Sequence, residues 1–168
     1  MSATLPRGVR VRVPATSANV GVGYDCLGLA LDLMAEFCFE PADELAIDGC
    51  PERFRGEDNL AWTSYLEACR RLYQRPLPLH LHIDSPIPLS GGLGSSSTCV
   101  AAGVVAAQLL HTGGLDPQAA LDVACELEGH PDNVAPALLG GLVSSFVDGR
   151  STRSLRFDVA EGLRFVAI

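Results

Sequence analysis

The chain contains no lysine: all 12 of its basic side chains are arginine, set against 20 acidic ones for a formal net charge of −8. That absence excludes the Walker-type phosphate loop, which needs a Gly-Lys-Ser/Thr triplet to bring an ammonium onto the phosphates. The same charge balance argues against a nucleic-acid partner, because phosphate backbones are held by clustered cations. Only 19% of the 168 residues are charged and 6% aromatic, while 48% are hydrophobic, so one well-filled core is expected rather than disorder. No apolar run reaches the roughly 18 residues that span a bilayer, and no membrane partner is expected. Met1 to Val13 has no apolar segment behind its arginines, so no secretory signal is read and a cytoplasmic protein fits best. None of the six cysteines forms a Cys-x-x-Cys pair, and no histidine cluster accompanies them at zinc spacing. Cys38, Cys69, Cys99 and Cys125 lie in apolar stretches, where a reduced thiol packs as a small hydrophobe.

What is present sorts into strands and helices. Val9, Val11 and Val13 alternate with Arg10 and Arg12, a half-buried strand that should end at Pro14. A polar, glycine-containing stretch from Ala15 to Asp25 follows, then a small apolar segment from Leu27 to Leu33. Glu36 to Glu40 reads as a second strand, with which Leu45 to Asp48 is expected to pair. Apolar positions 62, 65, 66, 69, 72 and 73 share one helical face; Asp58 or Asn59 would cap that helix and Pro76 would stop it. Leu79, Leu81 and Ile83 alternate with His80, His82 and Asp84 in a further strand. With no third ligand in view, its two histidines read as a solvated face rather than a metal site. Cys99 to Leu110 is apolar on nearly every side, the mark of a helix in the middle of a fold. Asp116-Pro117 opens another helix, with Ala120, Val123, Ala124 and Leu127 inward and an end near Gly129. Gly140-Gly141 then breaks the chain, and Leu142 to Val147 and Thr152 to Asp158 flank Asp148-Gly149 as a hairpin. A final strand is expected over Leu163 to Ile168. Hairpins interspersed with helices make an α+β two-layer fold the expected class, as one domain over residues 1–168.

Before the buried helix stand Pro88, Leu89, Ser90, Gly91, Gly92, Leu93, Gly94, Ser95, Ser96, Ser97 and Thr98. Glycines let backbone close around a ligand at positive φ. The first N–H groups of a helix are unpaired, with the positive end of its dipole behind them. Such a loop can cradle an anion without lysine. Taken alone, it reads more simply as a glycine-rich turn whose serines cap a core helix.

The longer string Pro-x-x-x-Gly-Leu-Gly-Ser-Ser, carried by Pro88, Gly92, Leu93, Gly94, Ser95 and Ser96, resembles the phosphate loop of the GHMP kinase superfamily. Pro14-Ala15-Thr16-Ser17-Ala18-Asn19-Val20-Gly21-Val22-Gly23-Tyr24-Asp25, followed by Leu27 to Leu31, resembles the first signature of its homoserine kinase branch. Glu128-Gly129-His130-Pro131-Asp132-Asn133 and onward to Gly141 resembles the second. The resemblance covers essentially the whole chain. It implies the two-layer N-terminal domain of these kinases, a fold shared with the second domain of ribosomal protein S5, with the C-terminal domain absent. It also implies ATP-dependent phosphorylation of the side-chain hydroxyl of L-homoserine, with Mg²⁺.

By that resemblance ATP is held by Pro88 to Thr98 together with Asn59, whose plain structural role would be the helix cap. Asn19, Asp25, His130 and Asn133 are implied to bind homoserine, Asp25 meeting its ammonium group. Mg²⁺ is implied between Glu128 and Ser95, with Ser96 as the neighbouring choice. Glu128 ends its helix, where the dipole prefers a cation, so a metal would compensate it. The implied catalytic set is Asn133, Glu128 and Ser95. An amide cannot take a proton, so Asn133 would orient the hydroxyl and the proton would leave with the γ-phosphate, with Asp132 as the rival base.

Kinases of this branch continue into a C-terminal half whose arginines bind the substrate carboxylate. A chain lacking it is expected to supply one wall of the pocket, to act weakly alone, and to expose an apolar flank along its last strand. The competing readings are a non-catalytic nucleotide-binding piece and a kinase of another small alcohol, against which Asp25 argues. The oligomeric state stays open, a homodimer included.

Overall fold

Alternating valines draw β1 (Val9–Ala18) into an antiparallel pair with β2 (Leu27–Pro41), as seen in a computed structural model that describes residues 7–164. β2 is one strand of 15 residues where the sequence suggested two pieces. Its residues 36–41 pair with β4 (Leu79–Asp84) and its residues 27–29 with β5 (Leu142–Asp148), so it forms the spine of the sheet. β6 (Ser151–Phe157) closes the hairpin with β5, and β3 (Ala46–Asp48) lies parallel to β4. Leu45 to Asp48 was expected to pair with the strand at 36–40; β4 stands between them, because it takes that edge of β2.

Among the described residues four helices form the second layer: α1 (Leu60–Arg71), α2 (Ser95–Thr112), α3 (Pro117–Glu128) and α4 (Pro131–Leu139), preceded by a short 3-10 turn at Glu52–Phe54. Val11, Val13, Phe37, Phe39, Leu81 and Ile83 face the helices and are buried; their neighbours along the strands carry the charges. Each fully buried phenylalanine contributes roughly 2–3 kcal/mol by removal from water. α2 is the central helix, buried on almost every face as its composition implied. The mixed α+β class is that of the sequence reading.

Several local expectations differ. α1 ends at Arg71 rather than before Pro76, and Tyr73, assigned to its apolar face, is exposed with φ of 54°. α3 buries Ala120, Leu121, Ala124 and Cys125, leaving Leu127 outward. β1 does not stop at Pro14 but bulges there, its register shifting between Pro14 and Thr16. A proline has no N–H to give a ladder, so a bulge is where a strand accommodates it. The bulge breaks the alternation, and both Ala15 and Thr16 turn inward at 0% exposure.

Asp48 binds both His80 and His82 across the β3–β4 ladder. All six cysteines are free. Exposed apolar side chains sit on the β5–β6 hairpin, with Phe146, Leu155 and Phe157 foremost. Of the final strand expected over 163–168, Leu163 and Arg164 are not in a strand and residues 165–168 lie outside the described part.

Candidate active site

α2 starts differently from its neighbours. α1 is capped by Asn59, whose Oδ1 accepts from Ala61 N and Trp62 N, and α3 by Asp116, which accepts from Gln118 N and Ala119 N. α2 has Gly94 at that position, with φ of 66° and no side-chain cap, so its leading N–H groups stay available. The serines, for which capping this helix was the simpler alternative, do not cap it. Instead the hydroxyls of Ser96 and Ser97 both donate to Glu128 Oε1, each at 2.9 Å. Ser95, the serine paired with Glu128 on the sequence reading, makes no such bond; Ser96 and Ser97 take that place because residues two and three of the helix face the end of α3. The carboxylate of Glu128, at the unfavourable end of its own helix, lies at the favourable start of another. A metal is therefore not needed to compensate it. The all-oxygen set of one carboxylate and two hydroxyls nevertheless suits Mg²⁺, which takes hard oxygen ligands.

A cavity of about 390 Å³ opens beside this helix start. Ser95, Ser96 and Thr98 line one end; Phe37, Ile83 and Phe54 form an apolar wall. Asn59 lines it too, while its Oδ1 caps α1 and its Nδ2 donates to Phe54 O at 2.7 Å. Cys50 and Cys99 also face the cavity, and burial pushes the Cys99 thiol up to about 11. The loop at residues 49–54 has no signature in sequence and was missed as part of this wall. Leu89 and Ser90 line the same cavity, whereas Gly92 is exposed at the loop's apex, with φ of 69°.

On the other side of the phosphate loop, Thr16 N donates to Leu93 O at 3.1 Å and Thr16 Oγ1 donates to Asn133 Oδ1 at 2.8 Å. Thr16 belongs to the signature quoted above but was given no role. The proline two residues before it, inside a strand pattern, was the available signal for a bulge. Asn133 is held at the start of α4, which approaches β2 so closely that a Cβ on Gly28 would lie 1.7 Å from Asp132 O. Asp132 is 1% exposed and its Oδ1 contacts His130 Nδ1 at 2.6 Å, while the His130 side chain is 46% exposed. The carboxylate weighed as a base is thus committed to the imidazole.

Asn19 and Asp25 bracket the loop between β1 and β2, both at positive φ, with Asp25 N donating to Asn19 Oδ1 at 2.8 Å. Both are exposed, and among the described residues neither bonds to the phosphate loop or α4. Their link to the site is the strand itself, since Asn19 follows Thr16 by three residues.

The family described as GHMP kinases N terminal domain matches residues 59–141, the segment that runs from the cap of α1 through the phosphate loop to the end of α4. The chain carries a GHMP kinase N-terminal domain. It is 44% identical over 161 residues to homoserine kinase of Clostridium botulinum (strain Loch Maree / Type A3), covering 95% of this chain and 54% of that relative. It is 43% identical over 162 residues to homoserine kinase of Clostridium beijerinckii, with the same coverage of 95% and 54%. The chain thus spans about half the length of the curated relatives it matches. The crystal structure of homoserine kinase from Cytophaga hutchinsonii superposes with a TM-score of 0.77 at 29% identity, over 95% of this chain and 55% of that one. Mevalonate kinase from Methanococcus jannaschii superposes with a TM-score of 0.68 at 16% identity, over 90% of this chain and 57% of that one, a likeness of GHMP fold alone.

Proposed function

We propose that this chain is the nucleotide-binding half of a kinase that moves the γ-phosphate of ATP onto the side-chain hydroxyl of L-homoserine, giving O-phospho-L-homoserine. The observation that carries it is the uncapped start of α2 beside the 390 Å³ cavity, with Glu128 joined to Ser96 and Ser97. Three elements meet there: an anion cradle, an apolar slot of a size for a base, and an oxygen set for a divalent ion. The names of the relatives supply the acceptor.

In this reading the residues of Pro88 to Thr98 cradle the triphosphate with main-chain N–H groups, and the cavity beyond Asn59 takes the purine. Glu128 and the α2 hydroxyls would hold Mg²⁺, Ser96 being better placed than Ser95, and the hydroxyl hydrogens turn away when they do so. The ion supplies neutralisation of the phosphate oxygens, the part a lysine plays in other nucleotide sites. Asn19 and Asp25 receive the amino-acid end of the acceptor, Asp25 pairing with its ammonium, and His130, steadied by Asp132, contacts the same molecule. Asn133 places the acceptor hydroxyl. Its oxygen bonds to phosphorus as the bond to the ADP oxygen breaks, and its proton leaves with the transferred group or through water. A loose phosphoryl transition state asks for positioning and charge neutralisation more than early proton removal. The further half present in the relatives would complete the cleft, so turnover by this chain alone is expected to be weak. A cytoplasmic setting is part of the proposal, in keeping with six unpaired thiols.

Isothermal titration of the chain with MgATP tests the reading. Saturable binding is expected, about tenfold weaker (~1.4 kcal/mol) for Glu128→Gln or after removal of Mg²⁺ with EDTA. A folded chain that binds no MgATP would refute the assignment. Binding unaffected by L-homoserine and by Asp25→Asn would leave a nucleotide-binding module and remove the acceptor.

A further inference from the structure

Thr16 bonds to both halves of the proposed site. Its N–H holds the phosphate loop through Leu93 O, and its hydroxyl holds the acceptor side through Asn133 Oδ1, across a separation of 117 residues. It reaches both because the bulge after Pro14 turns it inward, to 0% exposure. Gly94 seals the contact from the nucleotide side: a Cβ there would sit 2.0 Å from Thr16 Oγ1 and 3.2 Å from Asn133 Oδ1. Nothing larger than a hydrogen atom fits between the loop and this bond.

The geometry points to Thr16 as the positioning residue that fixes which way round the Asn133 amide stands, and so makes Asn133 a hydrogen-bond donor to the transferring group. The Thr16 hydroxyl carries one proton, and Asn133 Oδ1 is its partner among the described residues. Were the amide reversed, Nδ2 would donate to Oγ1 and the threonine's own proton would be left buried without an acceptor, the costly case for a hydrogen bond. Oδ1 is therefore taken. Nδ2 has no hydrogen-bond partner among the described residues and is not fully buried, so its N–H groups stay available to a ligand. A group that offers only donors does not receive the acceptor hydroxyl's proton. It stabilises an oxygen that carries or gains negative charge, either the phosphoryl oxygen or the attacking one. This deepens the kinase proposal and its donor role rests on that reading; the orientation of the amide does not.

The experiment is NMR on the isotopically labelled chain. Without ligand, the Asn133 Nδ2 protons are expected to show no cross-relaxation to the Thr16 γ-methyl. Strong cross-peaks between them would overturn the orientation and the proposal with it. Thr16→Ser keeps the hydroxyl and should keep the Asn133 side-chain signal; Thr16→Val keeps the shape, loses the donor and should move it. With a non-hydrolysable MgATP analogue and L-homoserine added, the Nδ2 signal should shift in the wild type and in Thr16→Ser. In Thr16→Val that shift should fall by about half or more, while affinity for the nucleotide alone stays within about twofold. A Thr16→Val chain that does not fold leaves the wild-type and Thr16→Ser spectra to decide. Failure of the analogue to bind would refute the kinase reading and the donor role together, yet leave the orientation judged by the ligand-free spectrum. Binding with an unmoved Nδ2 signal would overturn the donor role alone.

Discussion

Replacing Gly94 with alanine would put a Cβ 2.0 Å from Thr16 Oγ1 and 3.2 Å from Asn133 Oδ1, at a residue whose φ is 66°. Two costs add. The left-handed backbone costs a non-glycine residue roughly 1–2 kcal/mol. The clash forces the buried Thr16 hydroxyl off its rotamer and off Asn133, about 2 kcal/mol more. Gly92 supplies the control, since its φ is 69° but nothing lies within 4 Å of its Cβ position. Gly92→Ala should therefore lose only the backbone part, about 1 kcal/mol, and Gly94→Ala about 3 kcal/mol. In a Thr16→Ala background the 2.0 Å contact is gone and only the approaches of 3.2 Å to Asn133 Oδ1 and 3.3 Å to the residue-16 Cβ remain, so the Gly94→Ala penalty should shrink by up to about 2 kcal/mol, a coupling expected only of residues in contact. Urea unfolding followed by the fluorescence of Trp62, the single tryptophan, which stacks on Tyr65, reads the wild type and all four variants. Equal losses for Gly92→Ala and Gly94→Ala, or strict additivity of Thr16→Ala with Gly94→Ala, would refute the claim that the glycine-rich loop and the start of α4 meet at Thr16.

Asn59→Ala removes a cap that serves two N–H groups and a bond to Phe54 O, so it should cost about 2 kcal/mol in urea unfolding and loosen the cavity wall. Tyr65 Oη accepts from Leu77 N and lies 3.1 Å from His111 Nε2, which is half-buried against it. Burial accordingly lowers the His111 pKa from 6.5. The unfolded chain then binds the proton more readily, so stability held above the unfolded value is lost as pH falls through about 6.5 toward the folded one. Urea midpoints at several pH values should fall across that window and be flatter for His111→Gln. Leu155→Lys with Phe157→Lys should raise the concentration at which light scattering appears without shifting the unfolding midpoint, because both side chains face solvent on the hairpin. A large drop in stability would place them in a core that the structure does not contain.

Local physics was legible in the sequence wherever partners lie within a few residues. The valine alternation of β1, the Asn59 and Asp116 caps, and the glycine stop after α3 depend only on neighbours along the chain, and each stands where the pattern put it. The turn chemistry of the loop at residues 88–98 belongs with them in part, with Gly92 and Gly94 at two left-handed positions and Ser90 at a third. What needed the folded molecule was every choice between partners far apart. β3 takes β4 rather than β2, although short range patterns could not separate the two. The Glu128 carboxylate is answered by the start of another helix and by Ser96 and Ser97, a compensation invisible when its own helix is read alone. Thr16 meets Asn133 across 117 residues because a strand bulge rotates one side chain inward, and periodicity carries no information about which residue a rotated side chain will find. Sequence thus determined which groups the chain places around its glycine-rich loop; three-dimensional packing decided which of them face each other and which way their donors point.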